Sequence, residues 1–133
     1  MQKNDVLLAH NATVGKVALY NSSEKAIVGT SLTIYRPNLK RIHPYFLMFF
    51  LKSSFFQKQL GKEMKQTTRN QVPITKQKEL LFYIPPLKEQ IDFVQEVENI
   101  ESHLKTLKRS RDTMNKLCAS LVQRAFKGEL LPN

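Results

Sequence analysis

Apolar residues open the chain in short runs broken by polar ones. Residues 5–9 (DVLLA) and 15–20 (GKVALY) have the length and β-branched content of strands. Residues 26–28 and the alternating run 31–36 (SLTIYR) continue that pattern. Asn11 and Gly15 bracket one expected turn, and Asn21, Ser22 and Ser23 mark another. At Pro44 the period changes. Proline suits the first turn of a helix, and Phe46, Phe49, Phe50, Phe56 and Leu60 then fall at helical spacing, with Gly61 as the expected stop. So dense a set of aromatics reads as core. Residues 80–84 (LLFYI) form an apolar run closed by Pro85 and Pro86, and read as a buried strand.

After the prolines a helical pattern free of Gly and Pro covers residues 87–127. Phe93, Val97, Ile100, Leu104, Leu107, Arg111, Met114, Cys118, Leu121 and Ala125 follow alternating steps of four and three. That is the period of a coiled-coil seam. Such a helix would be roughly 60 Å long, and the residues before it are too few to cover it. The seam therefore calls for a second helix. The expected organisation is α+β: short strands and one helix over residues 1–86, a long coiled-coil helix over 87–127, and a tail at 128–133.

Charge sharpens this division. The net charge is +10, but residues 1–86 carry 13 Lys and Arg against 4 acids, a net of +9, and the rest is nearly balanced. An anionic partner is expected for the first part. Within the long helix, acids (Glu89, Asp92, Glu96, Glu98, Glu101) precede bases (Lys105 to Lys127, interrupted by Asp112). This order matches the helix dipole. It also favours an antiparallel neighbour, whose basic half would lie beside the acidic half.

No catalytic or metal-binding chemistry emerges. His10, His43 and His103 are widely spaced, and Cys118 sits on the seam as a small apolar side chain. Residues 11–16 resemble the end of a phosphate-binding loop, but His10 and Val17 stand where that motif needs Gly and Ser or Thr. No cofactor is expected. One cysteine fits a reducing cytoplasm, and the longest apolar run, residues 45–51, is too short to span a membrane. One polar stretch stands out, KQTTRNQVPITK at residues 65–76. Thr, Arg, Asn and Gln reach phosphates and base edges. Equally, they satisfy the backbone of their own loop.

Four stretches together resemble the specificity subunit of type I restriction-modification systems. They are DVLLAHNATVGKVALY, PYFLMFFLKSSFFQKQL, TTRNQVPITKQKELLFYIPPLKEQ and the closing AFKGELLPN, similar to the family's "AF-x-GEL" ending. The resemblance implies a non-catalytic role. A whole subunit of that family has two target-recognition domains, each reading half of a split double-stranded DNA site. Two long helices pair antiparallel between them and bind the methyltransferase subunits. The restriction subunit joins through that complex. This chain carries one recognition domain and one helix, so a half subunit is expected, lacking the segment that normally precedes DVLL. The helix would pair with a second copy or with another specificity chain.

The DNA contacts expected are Asn11, Thr13 and Lys16 on the first turn, with Thr67, Thr68, Arg69, Asn70 and Lys76 on the polar stretch. Pro73 and Ile74 read as structural. The expected helix interface is Phe93, Val97, Ile100, Leu104, Leu107, Met114, Cys118 and Leu121. Two other readings stand beside this one: a coiled-coil protein that binds nucleic acid without sequence preference, and an inactive remnant that only dimerises.

Overall fold

The computed structural model describes residues 1–65 and 70–128. Thr67, Thr68 and Arg69 lie outside them. Three short strands form one antiparallel sheet: β1 (Val6–Ala9), β2 (Val17–Leu19) and β3 (Leu32–Tyr35), in the order β2-β1-β3. Val6 pairs with Leu19 on one side and Tyr35 on the other. The central strand is the most apolar, and its Val6 and Leu8 are fully buried.

Helices α1 (Pro44–Lys52) and α2 (Ser54–Lys65) supply the rest of the core. Leu47, Met48 and Leu51 from α1 and Phe56 and Leu60 from α2 pack with Val6, Leu8 and Val72. Phe82 lies against Phe50 and Phe56, with ring centroids 5.4 and 5.3 Å apart. A four-residue helix, α3 (Ile74–Gln77), precedes the long α4 (Leu87–Phe126). The chain separates into two compact units, Met1–Val94 and one from Gln95 onward. The first includes the opening two turns of α4.

Three local expectations are corrected. Residues 26–28 are not a strand, and Ile27 is fully exposed. The Ala26 carbonyl instead accepts from the N-terminal amine of Met1 at 2.7 Å. The single helix expected from Pro44 to Gly61 is two. Ser53 adopts an extended conformation, with its N–H donating to Phe50 O at 3.0 Å and its Oγ accepting from Phe56 N at 3.3 Å. It thus ends one helix and caps the next. Gly61 stops nothing and lies inside α2.

The third correction concerns residues 80–84, which form no strand. Gln59 occupies the main chain there. Its Oε1 accepts from Leu81 N at 2.9 Å and its Nε2 donates to Leu81 O at 3.2 Å. A side-chain amide has replaced a neighbouring strand, satisfying backbone groups that need partners.

Gln90 acts similarly where α4 begins. It is fully buried. Its Oε1 accepts from His43 N at 2.8 Å, and its Nε2 donates to Arg41 O and Pro85 O at 2.9 and 2.7 Å. The first turn of α4 is thereby fixed to the entrance of α1. Phe93 adds apolar contact, edge-on to Phe46 and Phe49.

Candidate nucleic-acid interface

The turn between β1 and β2 is shaped by its backbone. Ala12 (φ 59°) and Gly15 (φ 91°) both take positive φ. Asn11 stabilises the first of these, its Oδ1 accepting from Ala12 N at 2.9 Å. Gly15 suits the second for two reasons. It has no side chain to be strained, and a Cβ there would run into the Gln57 amide. Gln57 Nε2 donates to Gly15 O at 3.0 Å and to Leu51 O at 2.7 Å, tying the turn to α1.

This turn meets the polar stretch directly. Beyond Ala9, His10 O accepts from Val72 N at 2.9 Å and Ala12 N donates to Asn70 O at 3.1 Å. Asn11 and Gln71 form an isolated antiparallel bridge. Val72 is buried in the core, while Asn11 and Asn70 are exposed. His10 is buried beneath, hydrogen-bonded through Nδ1 to Thr33 Oγ1 at 2.9 Å. Gln77 braces the stretch from the other end. This buried side chain donates to Val72 O at 2.9 Å and accepts from the Tyr35 hydroxyl at 2.9 Å. Burial pushes the Tyr35 hydroxyl up to about 12, so it remains a donor at neutral pH.

Two segments remote in sequence thus share one surface. Asn11, Thr13 and Lys16 lie exposed on the turn, and Asn70 lies exposed beside it. Lys76 is on α3, where its Nζ is 2.8 Å from Glu79 Oε2. That carboxylate holds the Lys76 ammonium above its ordinary pKa and partly neutralises it as an anion contact. Lys16 has no carboxylate partner among the described residues.

Asp5 takes little from the basic field. It is buried, and its carboxylate accepts from Arg36 at 2.8 and 2.9 Å and from Gln2 N at 2.7 Å. The Arg36 guanidinium holds this carboxyl below its usual pKa against the opposing effect of burial. Asp5 and Arg36 form an internal pair rather than a binding group.

The supporting residues Gln57, Gln59, Gln77 and Gln90 were not singled out by sequence. Each occurs in an unremarkable polar context, and nothing in spacing separates a bracing glutamine from a solvated one. On α4, the seam residues Ile100, Leu104, Leu107, Met114, Cys118 and Leu121 are all exposed. Among the described residues no helix is long and apolar enough to cross a membrane.

A small antiparallel sheet backed by helices and followed by a long helix defines an α+β class. Residues 1–115 match the type I restriction modification DNA specificity domain, and the chain belongs to that family. Its relatives include a Methanocaldococcus jannaschii protein assigned as the type I restriction enzyme MjaX specificity subunit. That protein is 29% identical over 92% of this chain and 30% of its own length. The Escherichia coli type I restriction enzyme EcoBI specificity subunit is 24% identical over 98% of the chain and 28% of its own length. The Salmonella potsdam StySPI specificity subunit is 35% identical over 62% of the chain and 17% of its own length. The chain therefore spans less than a third of the curated relatives it matches.

Proposed function

We propose that the chain is a DNA-recognition component of a type I restriction-modification system, acting in the cytoplasm and without catalysis of its own. In this reading residues 1–86 contact double-stranded DNA. Helix 87–127 pairs antiparallel with another helix and binds the methyltransferase subunits, through which the restriction subunit is reached. The observation that carries the DNA reading is the backbone pairing of residues 10–12 with 70–72. It presents Asn11, Thr13, Lys16 and Asn70 on one surface of a region with net charge +9. Lys16 and Arg69 would hold phosphates, while Asn70, Thr13, Thr67 and Thr68 would reach base edges.

Two measurements test this reading. The chain mixed with the methyltransferase subunit encoded beside it should give a stable complex by light scattering at physiological salt. DNA binding, read by fluorescence anisotropy, should weaken with salt, and Lys16→Gln should lower the slope of log K against log salt by about 1. Binding with no sequence preference in the assembled complex would favour a plain nucleic-acid binder. No DNA binding at low salt, with no methyltransferase complex, would favour a remnant that only dimerises.

A further inference from the structure

Helix α2 carries its core residues on one side and a different set on the other. Phe56 and Leu60 are buried, whereas Phe55, Lys58 and Lys62 are exposed and spaced three and four apart on one face. Phe55 and Lys62 project from the side of the helix away from Gln57, which ties down the β1–β2 turn. A surface groove of about 680 Å³ lies over this outer face, with Phe55, Lys58, Gln59, Gly61 and Lys62 in its lining. Residues 80–84 run alongside. Gln59 holds both main-chain groups of Leu81, and Phe82 turns inward against Phe56. The flanking Leu81 and Tyr83 are left 68% and 69% exposed, and Phe55 is 51% exposed. Large apolar side chains gathered on one surface mark a contact site.

We propose that this face of α2 is a docking site for an acidic amphipathic helix of a partner protein. It is separate from the surface that carries Asn11 and Asn70, and from α4. The two lysines select the sign of the partner. Neither Lys58 nor Lys62 has a carboxylate partner among the described residues. They stand one turn apart, about 6 Å along the helix. A partner helix with Asp or Glu four residues apart meets both at once, and its apolar side chains then cover Phe55 and Leu81. Nucleic acid would also meet the lysines. It would gain little from Leu81, an aliphatic side chain that offers no face for a base to stack on.

Gly61 is an independent indication. It lies inside α2, where glycine weakens a helix relative to alanine. An added Cβ would have nothing within 4 Å, so the fold itself gives no reason for the missing side chain. On the wall of a groove, the same bareness lets a partner's backbone come close.

The test uses the full chain and a fluorescent peptide of about five helical turns, with Leu on one face and Glu pairs four residues apart. Anisotropy at physiological salt should show this peptide binding at least about tenfold tighter than versions with Lys for Glu or with Ser for Leu. Lys58→Glu with Lys62→Glu should weaken the acidic peptide about tenfold and favour the Lys version instead. Lys25→Glu with Lys40→Glu changes the net charge equally on other exposed residues, and should leave binding within about threefold. Phe55→Ala should also weaken binding about tenfold. Gly61→Gln separates docking from folding: thermal unfolding should shift upward while peptide binding falls. Raised stability with unchanged binding would overturn the part assigned to Gly61 and the groove. Equal losses from both lysine pairs would overturn the site, leaving only the chain's general positive charge. Tighter, Lys58- and Lys62-dependent binding of a single-stranded oligonucleotide would overturn the protein partner in favour of nucleic acid. Far-UV circular dichroism of each variant would verify that helicity is kept.

Discussion

Replacing Gln77 by Met keeps the side-chain length and removes its polar atoms. Two hydrogen bonds are lost, one from the Tyr35 hydroxyl and one to Val72 O. A net hydrogen bond contributes about 1 kcal/mol, and a buried group left without a partner costs about 1–3 kcal/mol. Val72 is fully buried and Gln77 nearly so. The expected loss is therefore about 2–4 kcal/mol, a large share of the roughly 5–15 kcal/mol that holds a domain together. Urea unfolding followed by tyrosine fluorescence suits a chain with four Tyr and no Trp. Tyr35→Phe supplies the second arm of a cycle. Alone it should cost about 1 kcal/mol, and in the Gln77→Met background almost nothing, because its partner is already gone. The amides of Ala12 and Val72 should also lose hydrogen-exchange protection, since Gln77 braces the segment that pairs with the turn. A cost below about 1 kcal/mol, or strictly additive variants, would refute the bracing role.

Gly15→Ala should destabilise by about 1–2 kcal/mol because of its positive φ. It should also weaken DNA binding, as the displaced Gln57 amide would release Gly15 O. Gly61→Ala should have the opposite sign, stabilising by about 0.5–1 kcal/mol in thermal unfolding. Gly61 is helical, with nothing within 4 Å of an added Cβ. Asp5 sets an acid limit. Its folded pKa is depressed, so its contribution is full above the unfolded value of about 4 and is lost as pH falls through the lower folded value. Asp5→Asn should flatten that part of an acid unfolding curve.

The long helix was readable because its pattern persists. Alternating steps of three and four run from Phe93 to Ala125 without Gly or Pro, and the structure has helix from Leu87 to Phe126. The β1–β2 turn was readable from Asn11 and Gly15, which the backbone there uses at or beside positive φ. Residues 80–84 misled on both counts, because an apolar run fixes neither burial nor who supplies the hydrogen bonds: Leu81, Tyr83 and Ile84 are exposed, and Gln59 holds the main chain. The break at Ser53 was hidden because the apolar spacing of Phe49, Phe50, Phe56 and Leu60 crosses it almost undisturbed. The meeting of residues 10–12 with 70–72 could not be read from either segment. It is a long-range pairing of a few residues, with no local signature beyond the polar side chains on its exposed face.

The four bracing glutamines give the scaffold a property of its own. Amides neither titrate nor respond to counterions, so the bracing that Gln57 gives the turn and Gln77 gives the polar stretch is itself uncharged. Contact with a polyanion is the opposite, weakening steeply as salt rises. Grip and shape should accordingly respond to separate variables. Raising ionic strength would release the nucleic acid while leaving the surface that held it in place, ready to rebind on dilution. Thr13, Lys16 and Asn70 on that surface could likewise be exchanged for others, whereas Asn11 also holds the turn through Ala12 N.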